Sequence, residues 1–192
     1  MGNYLVRFLG GEEGVSLPIY PVRHLEVKTM KRRIYIETSI PSFYHEIRTE
    51  PEMVARCSWT REWWDQQSHH YELVTSLAVI EELEKGDYPT KSDALALMES
   101  IPFLPVENSI AEIIEAYIAR KLMPIDVTGD AFHLAIASYH QCHFLLTWNC
   151  QNLANANKFD HIRRVNTILG LFVPAMVTPF ELLVWENNEN ET

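Results

Sequence analysis

Short apolar runs and longer helical stripes take turns along the chain from about residue 33 onward. Residues 33–37 (RIYIE) gather Ile34, Tyr35 and Ile36 into the pattern of a buried strand. Residues 72–75 (ELVT), 103–106 (FLPV), 143–147 (HFLLT) and 175–177 (AMV) read as further strands, the run at 143–147 being apolar enough for a central place. Between them the period lengthens. Pro41 suits the first turn of a helix after Thr38-Ser39. Residues 52–67 are helical by pattern, with Trp59, Trp63 and Trp64 on or near one face, a set that predicts core packing rather than base stacking. Ser76 is placed to cap a helix through Leu77, Ile80 and Leu83, with Gly86 to stop it. Helices follow at 92–100 and at 109–122, the second with a stripe of Ile110, Ile113, Ile114, Tyr117 and Ile118 and ended by Pro124. Thr128 caps a helix through Ala131, Leu134, Ala135 and Ala137, whose small side chains allow close approach to a sheet; residues 160–169 and 179–185 complete the helices.

Strands separated by helices imply parallel pairing. The fold class is therefore α/β, a three-layer α/β/α sandwich around a central, mostly parallel sheet. In such sheets ligands bind beyond the carboxyl ends of the strands.

The 192 residues fit one domain, without internal repeat. Residues 1–29 carry Gly-Gly and scattered charges without periodicity, and read as an N-terminal extension to a domain spanning 30–186; residues 187–192 read as a disordered acidic tail. Three scattered cysteines, Cys57, Cys142 and Cys150, are no disulfide framework. No apolar run approaches a membrane span, and Gly10, Glu12 and Glu13 interrupt any leader-like core, so a cytoplasmic protein is expected. The formal net charge of −10 opposes long-range steering toward nucleic acid, yet it is compatible with a nuclease whose carboxylates hold a cation. The basic clusters Lys28, Lys31, Arg32 and Arg33, Arg120 and Lys121, and Arg163 and Arg164 each read as solvated surface.

Four polar positions fall where the strands end. Glu37 ends the first strand, Glu82 lies on the helix after the second, Asp130 sits in the first turn of a helix, and Asn149 lies two residues past the strand at 143–147. Each alone has an ordinary reading: a helix N-terminus for Asp130, a solvated helix face for Glu82, a turn for Asn149. Glu37 is the least ordinary, because an acid at the end of an apolar strand needs a partner or a cation. Together they suggest an all-oxygen site for a hard cation such as Mg²⁺ or Mn²⁺. Thr147 either positions a water or phosphate oxygen or simply bonds the strand-end backbone.

The stretch 34–41 (IYIETSIP) resembles the opening strand of PIN domains, where an acid is followed by Thr or Ser. Residues 75–86 (TSLAVIEELEKG) are similar to the second PIN motif, 129–137 (GDAFHLAIA) to the third, and 145–150 (LLTWNC) to the fourth, over a span of about 31–183. Within the family the closest likeness is to VapC-type toxins of type II toxin–antitoxin pairs. The resemblance implies metal acids at Glu37, Glu82 and Asp130, a fourth ligand at Asn149, and a divalent-metal-dependent endoribonuclease. It further implies an RNA substrate, a small antitoxin protein and a homodimer. Two positions depart from the family pattern, Glu37 for the usual first Asp and Asn149 for a fourth Asp. The first adds a methylene; the second removes a negative charge while keeping an amide oxygen.

The rival readings are a catalytically weak or inactive PIN-like module that binds RNA or a partner protein, and a structure-specific DNA nuclease. The latter needs gripping elements for which the chain has little room. A zinc site at His140, Cys142, His143 and Cys150 lacks the ligand spacing. His133 reads as packing against the sheet, or as a hydrogen-bonding neighbour of the site; His69 and His70 read as exposed loop residues.

Overall fold

The computed structural model describes residues 31–123 and 128–183. The expected extension at 1–29, the tail at 187–192, Pro124 and the side chain of Thr128 lie outside them. The domain is α/β. Its four strands are β1 (Arg33–Ile36), β2 (Glu72–Val74), β3 (Phe144–Leu146) and β4 (Ala175–Val177). They form one sheet in the order β2-β1-β3-β4, every pair parallel. Seven helices connect them: α1 (Ser39–Tyr44), α2 (Pro51–Gln66), α3 (Leu77–Lys85), α4 (Lys91–Met98), α5 (Asn108–Ala119), α6 (Thr128–Tyr139) and α7 (Ala156–Ile168). No helix among the described residues is long and apolar enough to cross a membrane.

The strand order positions the site. The chain moves from β1 to β2 in one direction, then returns past β1 to β3 and on to β4. The direction reverses at β1, so the crevice opens between the carboxyl ends of β1 and β3; α1 packs against both α2 and α4, and α5 against α6. Strand periodicity assigns the faces. Tyr35 turns toward α6, where its hydroxyl meets His133, and Glu37 continues the same face two residues on. Ile34, Tyr35 and Ile36 are all fully buried, as the sequence pattern requires.

Small side chains explain the approach of α6. Ala131, Ala135 and Ala137 are fully buried beside Leu134 and Ile136, and α5 packs along the helix through Ile110, Ile113 and Tyr117. A buried amide ties α5, α6 and α7 together. Asn166 accepts from the Tyr117 hydroxyl at 2.7 Å and donates to Ser138 Oγ at 2.9 Å and to the Phe172 carbonyl at 2.8 Å. On the other face Trp63 is fully buried, with Trp59 and Trp64 packed against the core, which bears out the packing expectation for the aromatic set.

Several expectations are corrected. The strand at 103–106 reduces to one bridge, Thr75 to Phe103, closed by Thr75 N–H to the Pro102 carbonyl and Leu104 N–H to the Thr75 carbonyl. Pro102 offers no N–H to the Leu73 side and the partner chain turns into α3 at Leu77, so the ladder extends in neither direction. Helix α7 starts at Ala156 rather than 160, because Asn155 Oδ1 accepts from the Asn157 N–H and caps it there. Ser76 occupies the N-cap position of α3, but its hydroxyl goes to Tyr35 instead of a helix N–H. Gly86 ends α3 at an ordinary φ of −65°, and it is small because a Cβ there would meet the Tyr88 ring at 2.5 Å. The last helix is a 3₁₀ turn, Pro179–Leu182; Trp185 lies outside the described residues.

Candidate metal centre

Glu37 follows β1 directly and is 6% exposed. A buried carboxylate requires donors. Its Oε2 accepts three: the Ser39 N–H at 3.1 Å, the Ser39 hydroxyl at 2.5 Å and the Thr147 hydroxyl at 2.7 Å. All three converge on one oxygen, leaving Oε1 free of partners among the described residues. Two of the donors belong to the Thr38-Ser39 turn that starts α1, so the same turn that ends the strand holds the acid.

Glu82 arrives from α3. The Thr38 hydroxyl donates to its Oε2 at 2.5 Å, and His133 Nε2 lies 3.2 Å from the same oxygen. Its Oε1 passes so close to Gly129 that a Cβ there would sit 2.6 Å away. The site needs glycine at the first turn of α6 for this reason. Burial opposes ionisation of Glu82, but the His133 contact, that ring's charge and the Thr38 hydroxyl outweigh it, and the carboxyl titrates below its usual range. Burial likewise opposes a charge on His133, which is 1% exposed. The Glu82 bond and the Glu37, Glu82 and Asp130 charges win, and the ring titrates above its ordinary value. Both partners' shifts thus favour the ion pair.

Asp130 and His133 are three residues apart on α6 and share one face. Asp130 is 7% exposed. Its Oδ1 accepts from the Asn149 side-chain N–H at 2.8 Å, while its Oδ2 is buried without a partner. Burial pushes this carboxyl above its ordinary value, the Glu37 charge adding to the effect and the Asn152 and Asn149 amides and His133 opposing it.

Of the acids the motifs imply, Glu37 and Glu82 meet, and His133 joins them, with ligand atoms within 4.8 Å of one another; Asp130 stands outside that group but feels the Glu37 and His133 charges. The two polar residues after β3 behave differently. Thr147 is fully buried; its hydroxyl donates to Glu37 and accepts from the Asn149 backbone N–H at 2.9 Å. It holds Glu37, so the strand-end reading prevails over direct contact with a water or phosphate. Asn149 spends both ends of its amide, Nδ2 on Asp130 and Oδ1 on the Asn152 N–H at 3.0 Å. It orients Asp130 and closes the turn, its oxygen already accepting one hydrogen bond.

Sequence reasoning treated His133 chiefly as packing and did not single out Tyr35, Ser39 or Ser76 for the site. The signal for His133 was its spacing of three from Asp130. Behind it, Nδ1 lies 2.8 Å from the Tyr35 hydroxyl, which lies 2.7 Å from Ser76 Oγ. The zinc alternative dissolves among the described residues. His143 Nδ1 accepts from the Arg33 N–H at 3.0 Å, His140 Nε2 faces the Pro105 carbonyl at 2.8 Å, and burial pushes the Cys142 thiol up to about 12.

On the α2 side of the site the Arg56 guanidinium lies over the rings of Phe43 and Trp148, 5.4 Å from each centroid. It has no ion pair among the described residues. Trp148 is the next residue after Thr147, and its N–H donates to Ser39 Oγ at 2.8 Å. In comparison with known proteins, neither a family model nor a curated protein matches the chain.

The residues present fit a hard divalent cation. Two carboxylates, Glu37 and Glu82, converge and each keeps an uncommitted oxygen, and Asp130 keeps a buried oxygen without a hydrogen bond. Oxygen donors of this kind suit Mg²⁺ or Mn²⁺.

Proposed function

We propose that the protein is a divalent-metal-dependent endoribonuclease, hydrolysing RNA phosphodiester bonds at the carboxyl edge of β1 and β3. The observation that carries the reading is the cluster of Glu37, Glu82 and His133, whose ligand atoms lie within 4.8 Å of one another, with the buried Asp130 on the same helix face as His133. Glu37, Glu82 and Asp130 would hold the ion, with Ser39 and Thr147 fixing the first acid and Asn149 the third. A bound Mg²⁺ or Mn²⁺ supplies a Lewis acid and an activated water. With Asn149 neutral and turned inward, the charge present serves one ion rather than two. Arg56 offers a guanidinium for a backbone phosphate close to the acids, which a chain of net charge −10 needs locally. The likeness to toxin-type PIN domains extends the proposal to a small neutralising protein and a homodimer.

The test is cleavage of a mixed pool of structured and single-stranded RNA by purified protein, with Mn²⁺ or Mg²⁺, with EDTA, and with a folded Asp130→Asn variant. Cutting is expected to need metal and to vanish in the variant. Cutting that survives EDTA or the substitution would refute the assignment. RNA or protein binding without cutting would move the protein to the inactive-module reading, which the Asn149 departure favours.

A further inference from the structure

The carboxylates are not the only donors at this corner. His133 Nε2 belongs to the same cluster as Glu37 and Glu82, with ligand atoms within 4.8 Å of one another. The ring is 1% exposed, so it is not a surface imidazole that drifts in and out of reach. Its other nitrogen is already engaged: Nδ1 meets the Tyr35 hydroxyl at 2.8 Å, and that hydroxyl meets Ser76 Oγ at 2.7 Å. Histidines that ligate metals are held in this way, one nitrogen toward the ion and the other bonded to a fixed partner that sets tautomer and ring orientation. Without an ion Nε2 carries the proton that faces Glu82 Oε2 at 3.2 Å; with Nδ1–H donating to Tyr35 and Tyr35 in turn to Ser76, an ion that displaces that proton meets an Nε2 lone pair already held beside the carboxylates. Asp130 supplies an independent pointer. It lies one turn before His133 on the same face of α6, more than nine-tenths buried, with Oδ2 unpartnered.

We infer that His133 is a metal ligand, so that Glu37, Glu82, Asp130 and His133 form a mixed nitrogen–oxygen site selecting first-row transition ions such as Mn²⁺ and Co²⁺ over Mg²⁺. The inference rests on the metal-centre part of the proposed function but not on RNA cleavage. An all-carboxylate site has little ground to prefer a transition ion at millimolar Mg²⁺. One imidazole changes that, because nitrogen donors bind first-row ions in the Irving–Williams order and add little for Mg²⁺.

The test is titration calorimetry of the full chain with Mn²⁺, Co²⁺ and Mg²⁺, each alone, for wild type and His133→Gln. The expected result is a rise of about tenfold or more in the Mn²⁺ and Co²⁺ Kd of the variant, against little change for Mg²⁺. Equal losses for all three ions would overturn the inference and leave His133 a positioning residue for Glu82. Because His133→Gln removes a buried group and can unfold the chain, the wild type is also examined by proton NMR with Co²⁺. A strongly shifted, exchangeable imidazole N–H is expected, from the Nδ1–H held by Tyr35, and its absence in Co²⁺-bound protein would refute ligation. His133-dependent binding without RNA cleavage would remove the ribonuclease reading alone. Cleavage with His133-independent metal binding would remove this inference alone.

Discussion

Replacing Asp130 by Asn sets stability against function. In the metal-free protein Oδ1 is satisfied by Asn149 and Oδ2 is buried without a hydrogen bond of good geometry; burial and the Glu37 charge oppose ionisation, and the Asn152 and Asn149 amides and His133 offset them only in part. A buried polar group left unsatisfied costs about 1–3 kcal/mol, and more when charged. An amide keeps the Asn149 bond through its oxygen and removes the buried charge, relieving its desolvation and its repulsion by Glu37. Asp130→Asn is therefore expected to stabilise the chelated protein by about 1–3 kcal/mol at neutral pH. For a domain of this size each kcal/mol moves Tm by about 2–4 °C, so the rise is roughly 2–12 °C. Excess Mn²⁺ reverses the order: at a hundredfold over its Kd an ion adds about 2.7 kcal/mol to the wild type, while the variant has lost a ligand. Differential scanning calorimetry in EDTA and then in Mn²⁺ reads both halves. A variant less stable than wild type in EDTA would show that Oδ2 has a structural partner, and the case for an ion-ready oxygen would collapse.

Thr147→Val keeps the shape of a fully buried side chain but removes a donor to Glu37 and strands the Asn149 N–H; urea unfolding should show a loss of about 2–4 kcal/mol, largely restored in Thr147→Ser. Gly129→Ala should add up to about 1 kcal/mol of helix stability. Its Cβ would displace the Glu82 carboxylate from 2.6 Å, and metal titration should then show a Kd raised about tenfold. Burial raises the Cys142 thiol to about 12 and, as the main cause, the Tyr117 hydroxyl to about 12. Groups raised on folding stabilise fully below their unfolded values and lose that contribution as pH climbs through the folded ones. Stability measured by denaturant should therefore fall from about pH 9 upward, by at most about 1.4 kcal/mol per pH unit for each group; a flat profile from 9 to 11 would contradict the burial of both. Arg56→Ala should weaken single-stranded RNA binding and reduce its salt slope by about 0.7 while leaving metal affinity unchanged.

Much of the fold was legible because its signals are local. The RIYI run, the stripe of α5 and the small residues of α6 each declare their element and buried face through spacing alone. Glu37 and Asp130 were legible as well, since one sits where a strand ends and the other where a helix begins, while Glu82, well inside α3, was reached through the resemblance of residues 75–86. The errors have equally local causes. Pro102 and the early start of α3 cut short a strand that hydrophobicity alone would have extended, and Asn155 started α7 a turn early.

What the sequence could not decide is which atoms stay free. Thr147 and Glu37 are 110 positions apart, His133 and Glu82 51 apart, and Asn149 and Asp130 19 apart. The sequence by itself determined a parallel α/β domain, with Glu37 at a strand end, Asp130 in the first turn of a helix and Glu82 within the helix after β2. Only the tertiary structure decided that Thr147 and Asn149 spend their polar atoms inside the protein, that His133 joins the acids, and that one oxygen of Asp130 is left over. Periodicity is a property of neighbours along the chain. The balance of donors and acceptors is a property of neighbours in space, and a buried corner assembled from four distant segments is settled by that balance.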